Sequence, residues 1–155
     1  MNKNKNFSST INQLSVHYDL LIKKFGDDVR SSQQSNKETR EKRLIQLTKY
    51  IEIQKNYSIL DFGCGTGYLY EFLEKRNFKG KYLGIDISNE AIILASRKFL
   101  KKKNATFKTQ DIFTQPLKKK YDYVIINGTF NNYTKNNWKW MTKCLETLFL
   151  ITKKK

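Results

Sequence analysis

The sequence is poor in cysteine and histidine: it contains Cys64, Cys144 and one histidine, His17. Two thiols are too few for a disulfide framework, so we expect reduced cysteines and a cytoplasmic location. No run of about 18 apolar residues is present, which argues against a membrane-spanning segment. The charged residues 1–6 have no apolar segment behind them, so no signal peptide is predicted.

The composition is nevertheless that of a folded protein. Of the 155 residues, 39% are hydrophobic, and ten Phe and nine Tyr provide side chains that form cores. A disordered chain would not carry so many core-forming residues. The length corresponds to one domain, with enough residues to bury a core.

The net charge of +16 has two interpretations. A strongly basic chain is typical of a nucleic-acid partner. Lysine together with abundant asparagine and isoleucine is also what an AT-rich coding sequence produces without any such partner. We prefer the second interpretation, because the lysine triplets fall at predicted element ends, where solvated charge is ordinary: Lys101–Lys103, Lys118–Lys120 and Lys153–Lys155.

Hydrophobic periodicity divides the chain into three parts. Residues 1–10 are predicted to be a disordered N-terminus, and residues 11–56 a helical cap with helices at 11–25 and 36–54. Residues 57–155 form an α/β core. In the core, strands are predicted at 57–62, 81–86, 106–110 and 121–127, and helices at 68–76, 89–100 and 135–152.

The alternation of strands and helices predicts a doubly wound parallel sheet with right-handed crossovers. Ligands of such sheets bind at the carboxyl ends of the strands. The last helix is expected to turn five large apolar side chains toward the sheet, namely Trp138, Met141, Leu145, Leu148 and Phe149.

A glycine-rich loop follows the first core strand. It contains Gly63, Gly65 and Gly67, and Asp61 lies two residues before it. Glycines allow the backbone to turn tightly and to approach a ligand closely. The dinucleotide-binding fingerprint requires a further glycine where this chain has Tyr68, so that pattern is not met.

Acidic residues end the next two strands. Asp86 closes the second strand about 20 residues after the loop, where a carboxylate can bind ribose hydroxyls. Asp111 follows the third strand and can accept a hydrogen bond from an adenine amino group. Alternatively, Asp86 belongs to the cap of the next helix, together with Ser88, and Asp111 is a turn residue.

Taken together, these segments resemble the class I S-adenosylmethionine-dependent methyltransferases. The resemblance covers residues 57–130 and rests on 59–67, 82–88, Gln110-Asp111 and 121–125. It implies a Rossmann-like sheet in the order 3-2-1-4, without the fifth to seventh strands that the family usually has. It also implies S-adenosylmethionine as the cofactor and no metal.

The same resemblance implies a role for each motif residue. It places around the methionine part of the cofactor Asp61, Gly63, Cys64, Gly65 and Gly67. In the resemblance, Asp86 binds the ribose and Ile87 packs on adenine. Asp111 holds the adenine amino group beside Ile112, and Asn127 faces the transferable methyl group.

No catalytic residue is assigned, because a sulfonium methyl donor needs a general base only when the acceptor must lose a proton. The resemblance places the helix of His17 and Tyr18 over the cofactor as a lid, but we expect His17 to be a surface residue. Arg40 and Arg43 lie on the next helix. One of them is able to reach a cofactor carboxylate, although an exposed helix charge is preferred.

The acceptor is predicted by what the chain lacks. Residues 127–133 contain no Asn/Asp-Pro-Pro-aromatic segment, which argues against adenine or glutamine N-methylation. No Pro-Cys pair is present, which argues against cytosine C5 methylation. A small-molecule acceptor is favoured. The alternatives are an RNA methyltransferase, or an inactive cofactor-binding remnant that acts as a subunit, with a partner chain covering the exposed fourth strand.

Overall fold

A computed structural model of the chain describes residues 7–153. A short 3-10 helix, Val29–Ser32, lies between the first two helices. The regular elements follow one another as α1 (Ser8–Phe25), α2 (Lys37–Thr48), β1 (Ser58–Phe62), α3 (Tyr68–Glu74), β2 (Lys81–Asp86), α4 (Asn89–Lys98), β3 (Ala105–Thr109), β4 (Tyr123–Ile126) and α5 (Asn137–Leu150).

The four strands form one parallel sheet in the order β3-β2-β1-β4, which confirms the predicted fold class and strand order. β1 lies between β2 and β4, and all five of its residues are buried. A parallel strand with both faces covered has to be apolar throughout, which explains the short hydrophobic run that predicted it. The carboxyl ends of all four strands consequently meet at one edge of the sheet.

Two hydrophobic layers cover the sheet, one on each face. On one face, Leu60 and Phe62 of β1 pack with Leu14 of α1 and Trp140 of α5. On the other face, Ile59 packs in a cluster with side chains of α2, α3 and α4 and with an aromatic group. That group comprises Tyr70, Tyr82, Phe99 and Phe107. Neighbouring residues of β1 thus serve opposite layers, as the pleat of a strand requires.

The N-terminal boundary differs from the prediction. Residues 1–10 are predicted to be disordered, but α1 begins at Ser8, and residues 1–6 lie outside the described residues. Phe7 is 9% exposed, and its ring centre lies 5.4 Å from that of Phe113. Contact with a residue so distant in sequence orders this segment, and its local composition gives no sign of that contact. α2 also ends earlier than predicted, at Thr48.

The predicted inner face of α5 is wrong for three of its five residues. Trp138 and Phe149 are 75% and 74% exposed, and Leu145 is exposed as well. The buried stripe consists instead of Trp140, Cys144 and Leu148, which are four residues apart. Trp140 packs edge-on against Phe130, whose loop comes from the end of β4, and this contact sets the rotation of the helix.

Segment 110–122, between β3 and β4, contains no helix. A crossover helix would normally cover the adjacent face of a parallel sheet. Here the side chains of Lys81, Thr106 and Lys108 are exposed on that face of β2 and β3. Part of the sheet is therefore open to solvent.

β4 is the outer strand, as expected. Just before it, the Tyr121 amide donates to the carbonyl of Ile151, and the Lys153 amide donates to the carbonyl of Tyr121, both at 2.9 Å. Residues 151–153 thus begin a parallel pairing beside the sheet. A partner chain along β4 stays a prediction.

No helix within residues 7–153 has the length and apolar character needed to cross a bilayer. Cys64 and Cys144 are buried free thiols. The cytoplasmic location stays a prediction.

The face of α5 that packs on the sheet is tested by a matched pair of substitutions. Leu148→Ala removes a side chain that is 2% exposed, and it should lower the free energy of unfolding by about 2–5 kcal/mol. Phe149→Ala acts on the exposed neighbour and should change that free energy by less than about 1 kcal/mol. Urea denaturation of both variants measures the difference. Equal losses would contradict this orientation of the helix.

Candidate functional site

A cavity of about 1080 Å³, including the space at its mouth, lies at the carboxyl ends of β1, β2 and β4. Side chains of α1 form part of its wall, and Arg40 of α2 contributes as well. Its size suits a small molecule of cofactor dimensions. Seven of the ten predicted site residues line it: Asp61, Gly63, Cys64, Gly65, Asp86, Ile87 and Asn127.

The glycine loop turns because three of its residues have positive φ. The values are 78° at Gly63, 53° at Gly65 and 84° at Gly67, which disfavour residues with a Cβ. A Cβ at Gly63 would lie 2.3 Å from the hydroxyl of Thr129, whereas a Cβ at Gly65 would meet nothing within 4 Å. Gly65 therefore leaves open space in front of the loop, where a ligand can approach the backbone.

Gly67 does not line the cavity. It precedes α3, and a Cβ there would lie 2.7 Å from the ring of Phe99. Its role in this structure is close packing against the aromatic group. Cys64 does line the cavity, but it is only 6% exposed, and burial raises the pKa of its thiol well above the usual value. The thiol stays protonated and contributes packing, not a nucleophile.

Asp86 links the glycine loop to β2. One oxygen of its carboxylate accepts a hydrogen bond from the amide of Gly65 at 2.8 Å, and the other accepts from the amide of Ser88 at 2.9 Å. Burial raises the pKa of Asp86, while these backbone hydrogen bonds act in the opposite direction. Each carboxylate oxygen retains a free lone pair, so the group can also accept hydrogen bonds from a ligand.

Asp61 lies in β1 and is 2% exposed. The hydroxyl of Tyr82 donates to its carboxylate at 2.5 Å across the β1–β2 pair. Burial raises the pKa of Asp61 to about 7, the Tyr82 hydrogen bond lowers it, and the charge of Asp86 raises it. The group therefore changes charge near neutral pH and responds to any cation in the cavity.

Three buried polar atoms of the described residues have no hydrogen-bond partner: Gln34 Oε1, Arg40 Nη1 and Asn127 Oδ1. All three residues line the cavity. A buried polar group without a partner costs about 1–3 kcal/mol, and more when it is charged. Their convergence on one cavity indicates that a ligand with both donor and acceptor groups completes them.

Arg40 was expected to be an exposed helix charge, and that expectation is wrong. It is 8% exposed, and its guanidinium carbon lies 3.2 Å from the centre of the Tyr68 ring. Stacking on an aromatic face holds the planar guanidinium at the cavity wall. Arg43, one helical turn later, is exposed as predicted. Only the tertiary contact with Tyr68 distinguishes the two arginines.

Asp111 and Ile112 are not among the residues that line the cavity. The carboxylate of Asp111 accepts from the amide of Phe113 at 2.9 Å and from the hydroxyl of Thr114 at 3.1 Å. This is the turn role that the sequence left open as the alternative. Ile112 is 3% exposed within the core. From the end of β3, the cavity is lined by Gln110 instead.

α1 lies across the cavity, and side chains at both of its ends fix it there. The hydroxyl of Ser15 donates to the carbonyl of Ile87 at 2.9 Å, and Asp19 accepts from the hydroxyl of Ser88 at 2.6 Å. The amide of Asn132 donates to the hydroxyl of Tyr18 at 2.9 Å, which joins the helix to the loop after β4. His17 is exposed and outside the cavity lining, as expected for a surface residue.

The segment that follows α1 closes on the glycine loop. Thr66 is 2% exposed, and its hydroxyl donates to the Asp27 carboxylate at 2.5 Å. The hydroxyl of Tyr68 donates to the carbonyl of Asp27 at 2.6 Å. Lys98 pairs with the Asp27 carboxylate at 2.8 Å. The helical cap and the core therefore share one hydrogen-bonded network around the cavity.

No metal site is visible in this network. Within residues 7–153, no group of three or more His, Cys, Asp or Glu side chains is arranged to hold an ion. The cavity contains instead an arginine, two carboxylates and two amides.

A four-stranded Rossmann-like sheet with a glycine loop and acidic residues at the ends of β1 and β2 defines a class I S-adenosylmethionine-dependent methyltransferase. The chain belongs to the methyltransferase domain family, whose model matches residues 53–155. This confirms the class that the motifs predicted. S-adenosylmethionine is the cofactor of that class.

Two curated relatives and one solved structure show how far the similarity extends. The chain is 34% identical over 96 residues to a candidate methyltransferase of Mycobacterium tuberculosis, Rv1506c, covering 61% of this chain and 55% of the relative. It is 39% identical over 72 residues to the malonyl-[acyl-carrier protein] O-methyltransferase of Bacillus cereus, covering 46% of this chain and 26% of that protein. The chain thus spans about half of the first relative and a quarter of the second.

The solved structure is the plantazolicin methyltransferase BpumL in complex with SAH. Its similarity has a TM-score of 0.59 and 29% identity, and it covers 95% of this chain and 58% of that chain. The α-helical cap is therefore included in the structural match, whereas the family model begins only at residue 53.

The two inner glycines of the loop should respond differently to alanine. Gly63→Ala places a Cβ against Thr129, whose hydroxyl donates to the carbonyl of Phe62, and it should destabilise the fold by more than about 2 kcal/mol. Gly65→Ala meets open space, and only its positive φ should cost about 1–2 kcal/mol. Thermal unfolding of both variants measures the order. A larger loss for Gly65→Ala would contradict the geometry of the loop.

Proposed function

We propose that the cavity binds S-adenosylmethionine and that the chain transfers its methyl group to a small-molecule acceptor. The observation that carries the proposal is the convergence of the three unpaired polar atoms with the glycine loop and Asp86 in one cavity. This set matches a ligand with an amino-acid end and a nucleoside end.

The methionine end of the cofactor carries a carboxylate and an ammonium group. Arg40 Nη1 is a buried cationic donor and suits the carboxylate. Gln34 Oε1 and Asn127 Oδ1 are buried acceptors and suit the ammonium. Asp61, whose carboxylate lies in the cavity wall, adds negative charge that favours the ammonium and sulfonium cations.

The nucleoside end is proposed to lie along β2. Asp86, fixed by the amides of Gly65 and Ser88, accepts hydrogen bonds from the ribose hydroxyls. Ile87 offers an apolar surface to adenine, and Gln110 lies at the same end of the cavity. A bond from the adenine amino group to Asp111 stays a prediction, since that carboxylate serves its own turn.

When it is bound, the cofactor supplies a methyl group already activated on a sulfonium, so the chain contributes mainly position. α1 covers the cavity and excludes water through the bonds of Ser15, Asp19 and Tyr18. Burial raises the pKa of Tyr18, the charge of Asp86 raises it further, and its phenol therefore stays protonated near neutral pH. An acceptor that arrives as a nucleophile suits this site better than one that must lose a proton to a base.

The wall of the cavity favours a small acceptor with an apolar part. Leu14, Ile22 and Trp140 provide apolar surface, while Thr129 and Asn131 provide polar contacts. The names of the relatives include an O-methyltransferase of malonyl-[acyl-carrier protein] and a plantazolicin methyltransferase. An inactive subunit remains the alternative, and it is distinguished by cofactor binding without turnover on any acceptor.

Substitution of Arg40 tests the proposed cofactor site directly. Arg40→Met should weaken S-adenosylmethionine binding by roughly 10- to 150-fold, the range expected for loss of a hydrogen bond to a charged group. Binding of 5′-methylthioadenosine, which lacks the amino-acid end, should be unchanged. Isothermal titration of both ligands measures the difference, and Asp86→Ala should weaken both.

Arg43→Met is the matched control, because Arg43 is exposed on the same helix. It should leave both affinities unchanged. Equal effects of the two arginine substitutions, or loss of 5′-methylthioadenosine binding in Arg40→Met, would contradict the assignment of the carboxylate. A folded wild-type chain that binds neither ligand would contradict the proposed function itself.

The pH dependence of cofactor binding should report the ionisation of Asp61. Its pKa is about 7, so the carboxylate is protonated below that pH and negatively charged above it. A cationic cofactor favours the charged form, and affinity should therefore rise between about pH 6 and pH 8. Tyr82→Phe removes the hydrogen bond that lowers this pKa and should shift the rise to higher pH.

Asp61→Asn supplies the reference titration, since it cannot ionise. Subtracting its pH profile removes the ionisation of the cofactor's own amino group. A wild-type profile that parallels the profile of Asp61→Asn would show that Asp61 does not contribute. The measurement is again isothermal titration, repeated at several pH values in the same ionic strength.

A further inference from the structure

A second groove lies at the opposite end of the sheet from the cofactor cavity. It crosses the amino ends of β1, β2 and β3 and the residues just before β4. Five lysines line it, together with hydroxyl and amide side chains, and no acidic residue does: Lys79, Lys81, Lys103, Lys108, Lys119, Asn56, Ser58, Asn104 and Thr106. All five lysines are exposed.

The groove exists because the crossover between β3 and β4 contains no helix. The open face of the sheet carries Lys81 on β2 and Thr106 and Lys108 on β3. The segment before β4 adds Lys119 at the far side. Four neighbouring strand positions span three inter-strand spacings, which is about 14 Å.

The positive charge of the groove is not neutralised within residues 7–153. None of its five lysines takes part in a salt bridge there, whereas Lys42, Lys55 and Lys143 each pair with a glutamate three or four residues away. Asp122 lies at the same end of the sheet, but its carboxylate accepts from Ser58 and pairs with Lys153 at 2.9 Å. These hydrogen bonds hold the pKa of Asp122 at about 2, so its charge is engaged locally.

We propose that this groove binds a single-stranded nucleic acid through its phosphate backbone. Lysines with serine, threonine and asparagine donors are the side chains that contact phosphates. The surface is concave and about 14 Å across, which suits one strand better than a flat membrane surface. A second copy of the chain is disfavoured, because each copy carries a net charge of +16.

The proposed binding is independent of base sequence. Base stacking requires accessible aromatic faces, and the two tyrosines of the groove, Tyr82 and Tyr121, are only 3% and 6% exposed. The groove is also separated from the cofactor cavity by the length of the strands. Nucleic-acid binding therefore extends beyond the proposed function and does not depend on a bound cofactor or on turnover.

The test is the salt dependence of binding to a fluorescent, single-stranded oligouridine, followed by anisotropy. Each phosphate contact of a single strand contributes a slope of about −0.7 in a plot of log K against log salt, so five lysines give about −3.5. The triple variant Lys81→Gln, Lys103→Gln, Lys108→Gln should reduce the slope to about −1.4. An oligonucleotide of another base sequence should bind with the same affinity.

The control is the triple variant Lys42→Gln, Lys55→Gln, Lys143→Gln, which removes the same charge outside the groove. It should retain the wild-type slope, and thermal unfolding should show that both variants fold. Equal reductions in the two variants would overturn the proposal in favour of diffuse attraction. Absence of binding, tighter binding of a duplex, or displacement of the strand by polyglutamate or anionic vesicles at equal charge would overturn it as well.

Discussion

The structure depends on the attachment of the glycine loop to the end of β2. The amides of Gly63 and Cys64 both donate to the carbonyl of Ile85, at 2.8 and 3.1 Å, and the amide of Gly65 donates to Asp86 at 2.8 Å. These bonds hold the loop at the carboxyl edge of the sheet in a conformation that glycine permits. They also fix the Asp86 carboxylate beside the open space in front of Gly65, so one set of bonds shapes both the turn and the binding surface.

The helical cap completes this arrangement by closing it off from water. α1 is anchored to the corner between β2 and α4, and the segment after it is anchored to Thr66 and Tyr68. A guanidinium becomes buried as a result, because Tyr68 stacks on Arg40 while one of its nitrogens is left without a partner. Burying unpaired polar atoms costs stability, and a ligand that satisfies them recovers that cost as binding energy.

The two ends of the parallel sheet carry opposite chemistry. Asp61 and Asp86 lie toward the carboxyl end, where burial raises the pKa of each and a cationic ligand would favour its charged form. The lysines of the groove lie toward the amino end, exposed and without carboxylate partners among the described residues. A high net charge is therefore distributed unevenly, and the open face left between β3 and β4 concentrates part of it in a concave surface.

The sequence by itself determined the elements whose signals are local. The apolar run of β1, the glycine spacing and Asp86 predicted the sheet edge and seven residues of the cavity, because turns and strand periodicity depend on neighbouring residues. Only the tertiary structure decided that Arg40 is buried, that α5 presents Trp140 to the core instead of Trp138, and that Asp111 serves its own turn. Each outcome depends on contacts with residues chosen by the fold, such as Tyr68 for Arg40 and Phe130 for Trp140, and periodicity carries no record of those partners.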